Sequence, residues 1–216
     1  MNKRLMFSAV LVMALLSANA QKRAFTIEDL YKVKGVSSVS LSPDGKTVCY
    51  TASSSDLKNQ KSSSDIYIMN ADGSHVKALT ENGKSSSAVW SKDGKSIFFT
   101  NYEKGTAQIF RMDLTTCETE QVTDYELGIG SPVISPDERY IAFTAEVYPD
   151  LGADAKANKA RMEKKEQGPV QAHIADKLLY RHWTSYSDGR CNHLILFDTQ
   201  TKTYKDLTPG NYSLIF

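Results

Sequence analysis

The residues best suited to contacting a ligand lie together in one stretch of this 216-residue chain, DKLLYRHWTSYSDGRCNHL. Rings and charges alternate there: Tyr180, Arg181, His182, Trp183, Tyr186, Asp188, Arg190 and His193. Aromatic residues beside arginine on a connecting segment are common at recognition surfaces, so we expect Arg181, His182, Trp183 and Asp188 to bind a ligand. The alternative is an anchoring role, with Tyr180 and Trp183 packed on the fold and Arg181 paired with a carboxylate, since buried aromatic anchors are more common than aromatic ligand contacts.

No motif for independent catalysis accompanies this stretch. The nucleophile elbow GxSxG is absent, and its nearest approximations, GVSSV at Gly35–Val39 and GIGSP at Gly128–Pro132, do not match it. Phosphate-binding glycine loops and the zinc motif HExxH are also absent from the sequence. We therefore assign no catalytic residue within this chain.

The cysteines and histidines have no spacing typical of a metal site. The four histidines are scattered, and the three cysteines, Cys49, Cys117 and Cys191, form no CxxC pair. An odd number of cysteines cannot pair completely within one chain. We expect free thiols, no metal and no cofactor.

Composition limits the classes of partner. The 26 basic and 25 acidic residues nearly cancel, whereas nucleic acid and anionic membranes require a basic surface. Neither is expected as the main partner. The 41% hydrophobic content is enough for a sizeable core.

The first 20 residues have the pattern of a cleavable export signal. Lys3 and Arg4 precede the apolar run Leu5–Leu16, and Ala18-Asn19-Ala20 has the small-x-small form of a cleavage site. The apolar run is shorter than the roughly 20 residues of a membrane-spanning helix. We expect cleavage after Ala20 and a periplasmic or secreted location.

Beyond residue 36 the chain repeats. Each repeat is marked by a turn motif, SPDGK at Ser42–Lys46, SKDGK at Ser91–Lys95 and SPDER at Ser135–Arg139. The motifs are 49 and 44 positions apart, and a period of about 40–50 residues with four short strands per unit is typical of the blades of a β-propeller. We assign blades to about 36–80, 85–123 and 129–208, preceded by a helical or loop segment at 21–35. A β-sandwich of similar strands is the alternative.

Two segments depart from the strand pattern. The serine-rich Ser53–Ser64 is expected to be a solvated loop, and residues 147–187 interrupt the third unit. The charged first part of that insertion, Val147–Gly168, is rich in Ala, Lys and Glu and nearly lacks β-branched residues, which favours a surface helix or a flexible segment. The fold class is therefore all-β, a partial propeller of about three four-stranded blades with a helical, charged insertion.

The lead-in FTIEDLYKVKGVSSVSLSPDGK, the turn motifs, and above all DKLLYRHW followed by DGRCNHL resemble the amino-terminal propeller of the prolyl oligopeptidase family of serine peptidases. The branch most similar is that of dipeptidyl peptidase five and the acylaminoacyl-peptidase-like enzymes. The resemblance implies a propeller that caps a catalytic α/β-hydrolase domain, restricts access to short peptides and contributes substrate-binding residues.

That hydrolase domain is absent from the chain, and family propellers have seven or eight blades. We therefore expect a fragment that is inactive alone, whose parent is an exported serine exopeptidase releasing dipeptides from peptide amino termini. Its partners would be peptides and the missing hydrolase domain. The alternative function is a periplasmic binding propeller of the Tol type, which has similar turn motifs and no enzymatic activity but lacks the charged insertion.

Overall fold

The computed structural model describes residues 23–102, 105–170, 172, 181–182 and 184–212. A short helix, α1 (Ile27–Leu30), precedes the strands, and Thr26 and Asp29 form a capping box at its first turn. Among the described residues, no helix is long and apolar enough to cross a membrane.

Most of the strands form three antiparallel four-stranded sheets, each following the order of the sequence. The first contains β1 (Gly35–Leu41), β2 (Thr47–Asp56), β3 (Lys61–Asn70) and β4 (Lys77–Ala78). The second contains β5 (Ser85–Trp90), β6 (Ser96–Asn101), β7 (Gln108–Asp113) and β8 (Thr119–Gln121). The third contains β9 (Gly130–Ile134), β10 (Tyr140–Val147), β13 (Cys191–Asp198) and β14 (Thr203–Asp206). Three four-stranded blades confirm the predicted fold class.

The repeated motif builds the turn between the first two strands of each blade. In the first blade, the Ser42 hydroxyl donates to Asp44 Oδ1 at 2.7 Å and accepts from Thr47 N at 2.9 Å, while Lys46 N donates to the same carboxylate oxygen at 3.1 Å. The second and third blades repeat these contacts at Ser91, Asp93, Lys95 and Ser96 and at Ser135, Asp137, Arg139 and Tyr140. The Ser and Asp side chains of the motif therefore accept hydrogen bonds from the backbone N–H groups of a tight turn.

Glu138 replaces the glycine of this turn in the third blade without changing its backbone conformation. Its φ is +59°, in the left-handed region that Gly45 and Gly94 occupy at +73° and +70°. A left-handed residue with a side chain is strained, but the Glu138 carboxylate accepts a hydrogen bond from Lys92 N at 3.1 Å. The substitution thus links the turn of the third blade to that of the second.

The core lies between the faces of adjacent blades. Strand β6 is buried along its whole length because both faces of the second blade are covered. One cluster joins the first and second blades through Cys49, Ile66, Ala88, Ile97, Phe99 and Met112. The other joins the second and third through Phe98, Ile109, Tyr125, Ile141, Phe143, Ile195 and Phe197, with further residues. The alternation of residues along β6 sends successive side chains to opposite neighbours.

The expectation that Ser53–Ser64 is a loop is wrong. Strands β2 and β3 continue through it as a two-stranded ribbon, paired from Ser53↔Ser64 to Asp56↔Lys61. Hydroxyls face one another across the ribbon, at 3.0 Å for Ser54 and Ser63, and the Asp56 carboxylate accepts from the backbone N–H of Asn59 in the turn. A ladder that starts in the buried part of the blade thus propagates into a polar segment, which composition alone does not reveal.

Candidate functional site

The insertion lies at the end of the third blade opposite the serine–aspartate turns. In an antiparallel meander, the connection between strands one and two and the connection between strands two and three lie at opposite ends. The insertion joins β10 to β13, the second and third strands of its blade. It contains α2 (Ala155–Glu166) and the short paired strands β11 (Arg181–His182) and β12 (Ser185–Tyr186).

A fully buried asparagine forms hydrogen bonds with the backbone at the start of the insertion. Asn158 Oδ1 accepts from the backbone N–H of Tyr148 at 2.6 Å, and its Nδ2 donates to the carbonyls of Gly152 and Asp154 at 3.1 and 2.8 Å. The Asp154 side chain caps α2 by accepting from Ala157 N at 3.0 Å. The loop between β10 and α2 is therefore closed by one side chain whose amide oxygen accepts and whose amide nitrogen donates.

Charged side chains then hold the helix against the blade. Arg161 forms a bidentate pair with Asp150 at 2.8 and 2.7 Å and lies 4.7 Å from the centre of the Tyr148 ring. Lys159 lies 3.7 Å from Glu126, in the connection between the second and third blades. Pairs at the surface contribute little stability each, and the Lys159–Glu126 pair connects α2 to a residue outside the insertion.

A tyrosine connects the insertion to the core between the blades. Tyr125 is fully buried, its hydroxyl donates to the Ala153 carbonyl at 3.3 Å, and its ring packs against Phe143 and Tyr204 at centroid distances of 5.1 and 4.9 Å. Burial raises the pKa of the Tyr125 hydroxyl well above its usual value, so it remains a donor.

A second buried polar contact lies beneath the insertion. His193, fully buried in β13, has Nδ1 at 2.7 Å from Asp206 Oδ2 and Nε2 at 3.0 Å from the Gly210 carbonyl. A Cβ on Gly152 would lie 3.2 Å from that same carboxylate oxygen of Asp206. Glycine at position 152, with φ at +50°, therefore allows the insertion to approach β14 closely.

Two adjoining cavities lie beside the helix. The smaller has a volume of about 230 Å³ and is lined by residues that include Tyr148, Met162, Val170, Tyr186, Asp188 and Arg190. The larger, of about 400 Å³, extends along the ends of the second and third blades and includes Tyr102, Gly105, Gly128, Gly130, Glu146 and Asn192. Met162 and Arg190 line both cavities, so the cavities adjoin, and we call the two together the insertion cleft.

Arg190 is held at the junction of the two cavities. Its Nε donates to Asp188 Oδ2 at 2.8 Å, and its Nη1 lies 3.3 Å from Glu146 Oε2 and 3.8 Å from Met162 Sδ. The backbone N–H of Arg190 donates to the other oxygen of Asp188 at 3.1 Å. Two carboxylates thus position one guanidinium, which leaves the group with one net negative charge and a planar donor facing the cleft.

The structure brings only part of the predicted ligand set to this cleft. Asp188 lines its smaller cavity. Arg181 is exposed in β11, where its backbone pairs with Tyr186, and His182 pairs with Ser185 in the same ribbon. Trp183 lies outside the described residues. The ligand-binding roles of these four residues remain predictions.

Sequence reasoning missed the residues that form most of the cleft wall. Tyr148 and Glu146 lie at the end of a strand, and Met162 belongs to a helix that was interpreted only as a charged surface. The available signal was the spacing of Asn158, Met162 and Lys165, which lie on one face of a helix at successive turns. Within the described part of the chain, no three His, Cys, Asp or Glu residues are grouped as metal ligands.

Residues 13–168 match the profile of the TolB beta propeller domain family. The chain is 30% identical to Dipeptidyl-peptidase 5 of Porphyromonas gingivalis over 178 residues, which is 81% of this chain and 25% of that protein. It is 38% identical to the Tol-Pal system protein TolB of Francisella tularensis over 80 residues, 36% of this chain and 18% of that protein.

The solved structure of acylaminoacyl peptidase from Pyrococcus horikoshii superposes with a TM-score of 0.60 at 20% identity, covering 83% of this chain and 26% of that one. At that identity the similarity shows the shared fold. The chain spans about a quarter of the length of the peptidases it matches.

Proposed function

Because the chain belongs to the family of TolB beta propeller domains, we propose that its blades are part of the peptide-binding propeller of an exported serine exopeptidase that releases dipeptides. The observation that carries the proposal is the insertion cleft: a charged insertion, absent from a simple blade repeat, lies at the ends of two blades and borders an open cleft. The similarity to Dipeptidyl-peptidase 5 over 81% of the chain supports peptides as the ligand class.

The chemistry of the cleft suits a peptide backbone better than a free anion. Asp188 and Glu146 outnumber Arg190, so a free carboxylate or phosphate would meet net negative charge. A peptide carbonyl is neutral and accepts hydrogen bonds, so the Arg190 guanidinium can donate to it without separating from its two carboxylates. The cleft would bind and orient a peptide and would break no bond.

Hydrolysis would come from a separate domain, as the resemblance to the prolyl oligopeptidase family implies. The chain contains no GxSxG elbow. We expect residues 21–216 alone to release no product from dipeptidyl 4-nitroanilides, while uncharged pentapeptides bind to them in calorimetry. Serine-dependent release by this chain alone, or the absence of peptide binding, would contradict the proposal.

The four predicted ligand residues can be tested in an enzyme that joins this propeller to its hydrolase domain. Alanine at Arg181, His182, Trp183 or Asp188 is expected to raise KM with little change in kcat, because these side chains would bind the substrate away from the reacting bond. Lys58→Ala, in the exposed turn of the serine ribbon, is the control. If KM and the melting temperature are unchanged in all four variants, the assignment of these residues is wrong.

Export is part of the proposal and rests on the first 20 residues. Lys3 and Arg4, the apolar Leu5–Leu16 and the Ala18-Asn19-Ala20 site have the order of a signal peptide. Amino-terminal sequencing of protein from the periplasm or medium should begin at Gln21. Recovery of the chain from the cytoplasm with Met1 in place would contradict export.

A binding propeller of the Tol type is the second candidate. The 80-residue match to TolB, at 38% identity, favours it. Intact mass measurement of the native protein separates the two: the exopeptidase requires a chain several times longer that carries GxSxG, whereas a binding module needs propeller blades alone.

A further inference from the structure

The smaller cavity of the insertion cleft differs from the larger in its walls. Of the described residues that line it, five of nine are aromatic or aliphatic, namely Tyr148, Met162, Val170, Ala172 and Tyr186, against six of fourteen in the larger cavity. We propose that this cavity is a side-chain pocket that takes one uncharged aromatic side chain of the bound peptide. The inference rests on the proposed function, because it assumes that the cleft binds peptides.

The volume of the cavity fits a single ring. It measures about 230 Å³, whereas an apolar cavity of about 150 Å³ in a protein interior is large enough to bind benzene. The remaining space would accommodate the methylene that links a ring to its backbone, or a phenolic hydroxyl.

The wall residues offer contacts that suit an aromatic ring. The thioether of Met162 is polarizable and interacts favourably with ring edges. Tyr186 and Val170 are 43% and 68% exposed, so a bound side chain would remove their apolar surface from water. Tyr148 is held in place, with Arg161 over its ring at 4.7 Å and Asn158 on its backbone. The pocket wall is therefore pre-organised on one side and open on the other.

The charges around the pocket disfavour a charged side chain. Its lining contains two basic residues, Lys165 and Arg190, and two acidic ones, Glu166 and Asp188. Asp188 already accepts two hydrogen bonds from Arg190, and Lys165 Nζ lies 3.5 Å from the Asp188 carbonyl. A ligand ammonium would compete with Arg190 for Asp188, and a ligand carboxylate would lose water beside the acidic Glu166 and Asp188. An aromatic ring carries no such penalty.

The junction residues connect the pocket to the path of the peptide. Met162 and Arg190 line both cavities. A peptide extended along the larger cavity, past Gly105 and Gly128, would therefore pass the mouth of the smaller one. One side chain of that peptide can enter the pocket while its backbone remains beside the Arg190 guanidinium.

The experiment is a calorimetric titration of residues 21–216 with four blocked pentapeptides, acetyl-Ala-Ala-X-Ala-Ala-amide, where X is Phe, Ala, Asp or Lys. We expect the Phe peptide to bind about tenfold more tightly than the Ala peptide, since burying much of a phenyl side chain is worth about one factor of ten or more. The Asp and Lys peptides should bind no better than the Ala peptide.

A filling variant and a matched control locate the pocket. Val170→Trp fills the cavity from an exposed position, and Val76→Trp introduces the same residue at an exposed valine of the first blade, 57% exposed. We expect Val170→Trp to abolish the tenfold preference for the Phe peptide over the Ala peptide, while Val76→Trp leaves both affinities unchanged. Melting temperatures should remain unchanged, because both positions are exposed.

The outcomes separate this inference from the proposed function. Equal affinity for the Phe and Ala peptides overturns the aromatic pocket and leaves peptide binding intact. A preference for Phe that survives in Val170→Trp also overturns it, because the ring then binds elsewhere. No binding of any of the four peptides overturns the proposed function and the pocket with it.

Discussion

Replacing Asn158 with alanine removes the side chain that closes the loop between β10 and α2. In the folded chain the amide satisfies the buried N–H of Tyr148 and the carbonyls of Gly152 and Asp154. The Asp154 carbonyl keeps a second partner, the backbone N–H of residue 158, at 3.0 Å. Alanine therefore leaves two backbone groups without their partner, at Tyr148 and at Gly152.

The cost follows from those two groups. A buried backbone group deprived of its hydrogen bond costs about 1–3 kcal/mol, so Asn158→Ala should lose about 3 kcal/mol of the free energy of unfolding. For a chain of this size, each kcal/mol corresponds to about 2–4 °C in melting temperature, which gives a decrease of about 6–12 °C. The affinity of the insertion cleft for peptide should decrease as well, because Tyr148 forms part of its wall.

Thermal unfolding followed by circular dichroism measures the change. Asn59→Ala is the matched control, since Asn59 bonds to Asp56 in an exposed turn and its loss should change the free energy by less than about 0.5 kcal/mol. If Asn158→Ala and Asn59→Ala melt within about 1 °C of each other, the buried amide does not anchor the insertion and the reasoning is refuted.

Three further predictions concern stability, pH and thiol reactivity. His193→Ala should lower the free energy of unfolding by about 2–4 kcal/mol, measured by urea denaturation, because it removes a fully buried ring and deprives Asp206 Oδ2 of its imidazole partner, leaving that carboxylate, among the described residues, only the bond from Thr208 N. The melting temperature should fall as the pH drops below about 4, because hydrogen bonds in the turns hold the pKa of Asp44 and its equivalents below the usual value, and stability is lost as these carboxylates protonate. In a thiol-modification assay of the folded chain at pH 8, Cys117, which is exposed, should react and Cys49 should not, since burial raises the pKa of the Cys49 thiol to about 11.

Each of these has a control and an opposing outcome. His75, exposed in the turn between β3 and β4, is the control, and His75→Ala should leave the free energy of unfolding nearly unchanged. Equal decreases for His75→Ala and His193→Ala would mean that burial of His193 does not explain the loss. Ser42→Ala removes the main hydrogen bond that lowers the pKa of Asp44, so it should reduce the acid sensitivity, and an unchanged pH profile would contradict the role of the turn. Modification of Cys49 at the rate of Cys117 would mean that the first two blades separate in solution.

The blades could be predicted from sequence because their signals are local. The Ser-Pro-Asp and Ser-Lys-Asp turns recur with the strands that they join, and the side chains that mark the repeat are those that satisfy the turn backbone. Glu138 stands where the other two turns have glycine, yet the turn keeps its conformation. The Glu138 residue has a positive φ, and its carboxylate accepts a hydrogen bond from Lys92 N in the neighbouring blade. That compensation lies 46 positions away and has no local signature.

The ribbon at Ser53–Ser64 and the insertion cleft were harder to predict from the sequence, because both depend on contacts between residues that are distant in the chain. Composition indicated a loop at Ser53–Ser64, but the pairing of β2 with β3 continues through it, and pairing is set by the partner strand. In the cleft, Asp188 could be chosen as a candidate because aromatic residues lie near it in the sequence. Arg190 contacts Met162, which is 28 positions away in the sequence, so no local pattern indicates that contact. The buried role of Asn158 could not be predicted from a segment whose composition is dominated by Ala, Lys and Glu.

The central claim, that the insertion cleft binds a peptide, is tested most directly by mapping bound peptide on the chain. Residues 21–216, labelled with ¹⁵N, would be titrated with acetyl-Ala-Ala-Phe-Ala-Ala-amide and followed by amide chemical shifts. We predict saturable shifts at Tyr148, Met162 and Arg190 and at the glycines of the larger cavity. Shifts confined to the serine–aspartate turns at the opposite end of the blades, or no saturable shifts, would contradict the claim.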